Sequence, residues 1–487
     1  MGEILGHLKP KRVWEIFEEI CKIPRPSKKE EKILKYLIDF AKEHDLEYAQ
    51  DKIGNLVIRK PGMPGYEDRE WTILQSHVDM VGEKNSDVDH NFDTDPIKPR
   101  IEDGWVRATG TTLGADDGIG IAAQLAILES DEIPHGPIEC LFTVDEETGL
   151  TGAFGLEKNF LKGRILLNLD SEDDGELFIG CAGGIDTLIT FNYEKVNTEP
   201  DHQAFKVSVK GLKGGHSGDD IHKGRGNAVK VLTRILWNAE KMYELRVAEM
   251  AGGNLHNAIA RESFATVTVP KRHKSAFLTL VKGLGNEIKE AMKTNEPNLE
   301  IAAEEAVMPD CLMDYSTQNN LLNALYACPH GVMAMSPDIP NLVETSTNLA
   351  SVKMTPREII VVTSQRSSLE TGKRDIADMV ASVFYLAGAK VKHGDGYPGW
   401  TPNMDSAILS VTEKAYKDLF KEEPKVLAIH AGLECGLIGE KYPGMDMISY
   451  GPTIKGAHSP DEGIEISTVE KFWDLTLEVL KNIPKAK

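Results

Sequence analysis

Cysteine is scarce in this chain. Six residues, Cys21, Cys140, Cys181, Cys311, Cys328 and Cys435, are scattered over 487 positions with no C-x-x-C pair. That spacing disfavours a disulfide scaffold and fits a reducing compartment. A closed structural zinc site, which prefers cysteine, is disfavoured with it. Long apolar runs are lacking as well: none reaches the roughly 18 residues a transmembrane helix needs. The N-terminus carries Glu3 and alternating charges where a signal peptide has an apolar core. Gly6 stands where an N-myristoylation signal has Ser or Thr. Basic residues are outnumbered 55 to 76, a net charge of −21, which argues against binding to nucleic acid or an anionic membrane surface. These absences predict a soluble cytoplasmic protein.

What is present is globular: 41% hydrophobic and 27% charged residues. The length exceeds one ordinary core and implies two or three domains. Val13, Ile16, Phe17 and Ile20 repeat at helical spacing and are stopped by Pro24 and Pro26. A second helix, with Ile33, Leu34, Leu37 and Ile38, is expected to start near Ser27. Strands are expected over 55–59, 71–76, 138–144 and 165–169, with a largely apolar helix after Asp117. This alternation predicts an α/β layered domain. The pattern changes after Gly183-Gly184 and resumes near Gly396. Between them lie two similar halves, each a small α+β lobe, which suggests a duplication. After the insertion, strands over 426–430 and 446–449 precede a last helix. Val469, Phe472, Trp473, Leu477 and Leu480 form its apolar stripe, and Ser467 with Glu470 reads as its capping box. The expected organisation is a catalytic domain (1–184 and 397–487) interrupted by a two-lobed insertion (185–396).

The chemistry-bearing residues fall at strand ends. His77 and Asp79 follow the 71–76 strand two positions apart, so both can face one site. A histidine that binds metal usually gives its other ring N–H to a carboxylate. Asp116 and Asp117, flanked by Gly114 and Gly118, precede a helix, where an aspartate can also serve as an N-cap. Asp145, Glu146 and Glu147 follow an apolar strand, and three adjacent carboxylates there call for a cation or a shifted proton. Asp170 closes another strand, and His458 lies far along the chain before the last helix. Singly, each has an ordinary structural explanation. Together, His77, Asp116, Glu147, Asp170 and His458 make an imidazole–carboxylate set without thiolate, suited to Zn²⁺, Mn²⁺ or Co²⁺. Five ligands exceed one tetrahedral site and suit two metals bridged by a carboxylate. Glu146 is then free to act as base on a metal-bound water.

The series HVDM (77–80), GADDG (114–118), DEETG (145–149), NLDSE (168–172), GGHSG (214–218) and GAHSPDE (456–462) resembles the carnosinase-like dinuclear zinc peptidases along essentially the whole chain. Further phrases of the likeness are GYPGW (396–400) and HAGLECG (430–436). The resemblance implies a zinc-peptidase-like α/β catalytic domain whose insertion is a lid. It implies that His77 and Asp170 hold one metal, Glu147 and His458 the other, and that Asp116 bridges them, with a cis peptide after it. Asp79 would orient His77, and Glu146 would be general base and then proton donor to the leaving amine. His216 would polarise the scissile carbonyl with help from Asn257. Arg366 would bind the substrate's terminal carboxylate, as its planar fork suits. Glu434 is the weaker assignment, as receptor for the substrate's ammonium. His222, His256 and His430 receive no role.

The implied activity is metal-dependent hydrolysis of dipeptides, Xaa-His among them, with two divalent cations, zinc first and manganese or cobalt as alternatives. Rival activities on the same scaffold are those of a tripeptidase, a carboxypeptidase or an N-acyl amino acid deacylase, and the rival outside catalysis is an inactive binding relative. A homodimer is compatible with the site and not required by it.

Overall fold

The structure is a computed structural model and describes residues 4–486. Met1, Gly2 and Glu3, on which the reading of the N-terminus partly rests, lie outside the described residues. No helix among the described residues is long and apolar enough to cross a membrane. The chain forms two compact units: residues 1–181, 400–428 and 433–487 make the first, and residues 182–399 and 429–432 the second. Residues 182–184, 397–399 and 429–432, expected in the outer domain, group with the insertion.

The first unit is built on an eight-stranded sheet in the order Glu47–Gln50, Leu56–Lys60, Ile138–Thr143, Thr72–His77, Ile165–Asn168, Asp446–Ser449, Glu176–Cys181 and Lys425–Ile429. Its centre is parallel. Thr72–His77 runs parallel to both Ile138–Thr143 and Ile165–Asn168, which in turn is parallel to Asp446–Ser449. All residues of the Thr72–His77, Ile138–Thr143 and Ile165–Asn168 strands are buried, as expected of parallel strands covered on both faces. The register sets His77 opposite Thr143 and Gln75 opposite Asn168. The carboxyl ends of these strands therefore finish nearly level, and α/β sheets place ligands there.

Helix Ala115–Glu129 buries nearly every side chain it has, from Ile119 and Ile121 to Leu128. Each fully buried aliphatic side chain of this kind contributes roughly 1.5–3 kcal/mol. Asp116 and Asp117, just inside its start, depart from helical dihedrals, and the peptide bond joining them is cis. A separate four-stranded sheet orders Ile454–Lys455, Gly463–Glu465, Trp105–Ala108 and Pro99–Glu102. It brings the chain after His458 beside the chain that leads to Asp116.

Two local expectations are corrected. The second helix spans Glu31–Glu43, and the Ser27 hydroxyl donates to Asp79 instead of capping it. The last helix starts at Ile466, so Ser467 lies inside its first turn and bonds Glu465; no capping box forms. Its buried stripe runs through Val469, Phe472, Leu475, Thr476, Val479 and Leu480, with Trp473 and Leu477 half-buried.

The second unit has one nine-stranded sheet ordered Glu300–Glu305, His202–Lys210, Ser263–Pro270, Arg246–Gly252, Val343–Met354, Glu358–Ser367, Gly183–Asn192 and Lys390–His393, with Gly331–Met335 also pairing Val343–Met354. The two halves seen in the sequence are thus parts of a single antiparallel sheet. They meet through two residue pairs, Ala251 with Lys353 and Gly252 with Val352. One apolar cluster, including Phe205, Leu232, Phe277, Leu321, Val361 and Phe384, serves both halves. Here the GYPGW motif has a steric role. Tyr397 exchanges backbone hydrogen bonds with Gly184 at 3.1 and 2.8 Å. A Cβ on Gly184 or Gly432 would come within 2.6 or 2.9 Å of its ring.

Candidate metal centre

In the first unit, side chains from five stretches of chain converge. His77, the last residue of its strand, is 1% exposed. Its Nε2 lies 2.9 Å from Asp116 Oδ1 and 3.4 Å from Asp170 Oδ1. The other Asp116 oxygen is 3.1 Å from His458 Nε2, and that nitrogen is 2.9 Å from Glu147 Oε2. Two groups result, His77–Asp116–Asp170 and Asp116–Glu147–His458, each with its ligand atoms within 4.8 Å of one another. Asp116 belongs to both, one oxygen toward each imidazole. His458 is held in a left-handed conformation, φ 63°, in the loop between Ile454–Lys455 and Gly463–Glu465.

The loop bearing Glu146 and Glu147 is anchored by Asp79. Its carboxylate accepts the backbone N–H of Glu146 at 3.0 Å, that of Glu147 at 3.2 Å and the Ser27 hydroxyl at 2.8 Å. It also lies 3.4 Å from His77 Nδ1. Burial opposes its ionisation, but His77 and these donors hold its pKa down at about 2. Glu146 forms a third group with His77 and Glu147. A fourth carboxylate group, Glu30, Asp79 and Asp145, is of a different kind. Its oxygens accept from backbone N–H groups and from the hydroxyls of Ser27, Thr148 and Thr151, so it is satisfied internally.

Behind these side chains lies a buried polar layer of which the sequence reading named only Glu434. The residues two before His77, Asp145 and Asp170 are Gln75, Thr143 and Asn168, so strand alternation turns them to the same side. Asn168 Nδ2 donates to Gln75 Oε1 at 2.6 Å. Gln75 Nε2 and Thr143 Oγ1 donate to Glu434 Oε2 at 2.6 and 2.7 Å. Glu434 is 1% exposed, and its Oε1 has no partner.

The electrostatics of the cluster demand positive charge. Burial pushes the Asp170 carboxyl up to about 7, Glu434 likewise to about 7, and Glu146 well above the usual carboxylate range. Burial disfavours a charged His77, yet Asp170, Asp116 and Asp79 hold its pKa well above the imidazole range. Hydrogen bonds to Asp116 and Glu147 lift His458 to about 11. Glu147 Oε1 is buried with no partner. Two imidazoles and three carboxylates, one oxygen of which is orphaned, form a donor set that fits divalent cations.

In the second unit, Arg366 is 7% exposed and forms no ion pair among the described residues. Its Nη1 donates to the Tyr397 hydroxyl at 2.8 Å, and Nη2 is 3.5 Å from His216 Nε2. His216 Nδ1 lies 3.2 Å from an Asp219 carboxylate oxygen. Asn257 is exposed, and its carbonyl accepts the Ser217 N–H at 2.9 Å, beside the His216–Ala258 bridge. Of the three unassigned histidines, His222 is exposed, His256 pairs with Asp186 at 2.8 Å, and buried His430 bonds the Ser346 hydroxyl at 2.7 Å.

A mixed sheet gathers two histidines and three carboxylates at its carboxyl edge, in groups that could hold metal ions, and a second α+β unit interrupts its chain. Residues 73–482 match the model of peptidase family M20/M25/M40, and the chain belongs to that family. It is 42% identical over 480 residues to the cytosol non-specific dipeptidase of Escherichia coli K12, covering 99% of each chain. The crystal structure of aminoacylhistidine dipeptidase from Vibrio alginolyticus superposes with a TM-score of 0.92 at 44% identity, covering 99% of both chains. An aminopeptidase from Bacillus cereus shares the fold, with a TM-score of 0.58 at 16% identity over 98% of this chain and all of that one.

Proposed function

We propose that this protein is a cytoplasmic metal-dependent dipeptidase that hydrolyses dipeptides, Xaa-His among them. The observation that carries the proposal is Asp116, whose two carboxylate oxygens are directed at two imidazoles from opposite ends of the chain, His77 and His458. That is the arrangement a bridging ligand needs. Similarity over nearly the full length to a non-specific dipeptidase and to an aminoacylhistidine dipeptidase supports the substrate class.

In this reading His77 and Asp170 hold one cation, Glu147 and His458 the other, and Asp116 is common to both. When bound, two divalent cations, zinc first with manganese or cobalt as alternatives, would acidify the attacking water and polarise the scissile carbonyl. The remaining work falls to side chains. Glu146, whose backbone N–H is tied to Asp79, accepts a proton from the attacking water and returns it to the departing amine. Burial holds its pKa above the usual carboxylate range. Asp79 orients His77 and holds the Glu146 loop. His216, assisted by Asn257, donates to the carbonyl oxygen as negative charge develops there. Arg366, buried, with its Nε unpartnered and no carboxylate at ion-pair distance among the described residues, receives the substrate's terminal carboxylate. Glu434, with one oxygen unpartnered, receives its ammonium. A homodimer is compatible with these roles.

The test is metal analysis combined with a substrate panel on chelated and reloaded protein. Two divalent ions per chain and reloading-dependent cleavage of dipeptides are expected. Preferred cleavage of tripeptides, N-acetyl amino acids or longer C-termini would replace the dipeptidase assignment. Full activity after exhaustive chelation would refute the metal reading.

A further inference from the structure

Two buried charged residues outside the proposed ligand set grip the backbone that leads into Asp116. Glu462 is 2% exposed. Its Oε2 accepts the N–H groups of Leu113 at 2.7 Å and Gly114 at 3.1 Å, and its Oε1 those of Ala115 at 2.7 Å and Asp116 at 3.5 Å. Four successive amides thus converge on one carboxylate. Glu462 lies four residues after His458, so this grip also ties the His458 loop to the Asp116 turn. Arg25 is also 2% exposed. Its Nη1 donates to the carbonyls of Val78 at 3.0 Å and Asp79 at 2.6 Å, and its Nη2 to the carbonyl of Gly114. Arg25 therefore ties the Asp116 turn to the strand end that carries His77. The glycines around Asp116 make room for it. Gly114 has φ 71°, and a Cβ on Gly114 or Gly118 would come within 2.7 Å of the guanidinium.

Neither Arg25 nor Glu462 forms a side-chain ion pair among the described residues. Their charges are directed at backbone dipoles, where charge-assisted hydrogen bonds are stronger and more directional than neutral ones. We propose that Glu462 and Arg25 are positioning residues: together they fix the backbone over 113–116 so that Asp116 offers one oxygen to each cation, and they lock the His77 and His458 segments to that turn. The inference rests on the metal reading of the preceding section and extends it to residues that touch no cation.

The experiment is calorimetric titration of Mn²⁺ and of Zn²⁺ into chelated full-length protein, comparing wild type, Glu462→Gln and Arg25→Lys. It is run at a temperature where circular dichroism shows each variant folded. Glutamine keeps one acceptor oxygen of the two, and lysine cannot span carbonyls on both sides. A 10- to 100-fold rise in Kd for the cations is expected in each, the range seen when groups that orient ligands are removed. A residue with a merely structural role would lower the melting temperature and leave Kd in the folded protein unchanged. Cation affinities within twofold of wild type in the folded variants would overturn the proposal. Should Glu462→Gln not fold, Arg25→Lys decides by the same measure. Wild type that binds no divalent cation would instead sink the metal reading itself.

Discussion

The carboxylate of Asp79 accepts the backbone N–H of Glu146 at 3.0 Å. Asp79 is two residues past His77, whereas Glu146 follows the neighbouring parallel strand. One hydrogen bond therefore fixes the proposed base relative to the first proposed ligand. The level ends of the Thr72–His77 and Ile138–Thr143 strands make it possible, because His77 and Thr143 are partners in the ladder.

Loss of the base is expected to separate binding from chemistry. Glu146→Ala should retain both metals and lower kcat by about 100- to 10,000-fold. Glu146→Gln, which keeps the shape, should behave the same way. Metal content by plasma emission and steady-state rates on one dipeptide check this, and near-normal turnover would refute the assignment.

Asp79→Asn leaves a single acceptor oxygen where the native carboxylate serves two backbone N–H groups, Ser27 and His77. Cation affinity is expected to fall about 10- to 100-fold, and kcat should fall too because the Glu146 loop loosens. Titration with a competing chelator reads the first effect. Unchanged affinity would leave Asp79 with no orienting role.

Arg366→Ala should raise KM for dipeptides and lower kcat/KM by about 10- to 100-fold, the scale of a lost charged hydrogen bond. Dipeptide amides, which lack the terminal carboxylate, should already be poor substrates of the wild type and lose little further. Equal loss on acids and amides would show that Arg366 does not read the carboxylate.

His430 supplies an acid-sensitivity test. Burial, and then the Arg366 guanidinium, push its pKa down to about 3, with Asp219 and a backbone carbonyl pulling weakly upward. An unfolded chain takes up this proton below the ordinary value of about 6.5, while the folded protein refuses it until about pH 3. The stability His430 contributes is therefore full above pH 6.5 and is lost as pH falls through that window, by up to roughly 5 kcal/mol at its lower end. In urea titrations between pH 7 and 5, His430→Gln should lose stability with acid less steeply than wild type. Equal slopes would mean that His430 takes up its proton as readily in the fold as in the unfolded chain.

Much of this was legible because the chemistry follows strand periodicity. The apolar runs around Ile73, Leu141 and Leu167 mark parallel strands buried on both faces, and the polar residues just beyond them, His77, Asp145 and Asp170, mark the edge where such strands end. The insertion was visible as a change of pattern at Gly183-Gly184. Its single continuous sheet was not, because the two pairs joining Arg246–Gly252 to Val343–Met354 leave no local trace. The expected capping box failed for a similar reason. Gly463–Glu465 pairs with Trp105–Ala108 up to the residue before the helix, and that pairing sets where the helix begins.

The sequence alone determined which residue types are available and which faces they share. Side-chain direction along a strand alternates with period two, and that rule is local. It could name His77, Asp116, Glu147, Asp170 and His458, but not what holds them. Only the tertiary structure decided that Asp116 turns one oxygen to each imidazole, that Arg25 and Glu462 close on the turn before it, and that Gln75 and Asn168 connect Glu434 to the sheet. Those relationships depend on strand register and on backbone amides and carbonyls, which every residue carries alike and no side-chain pattern encodes.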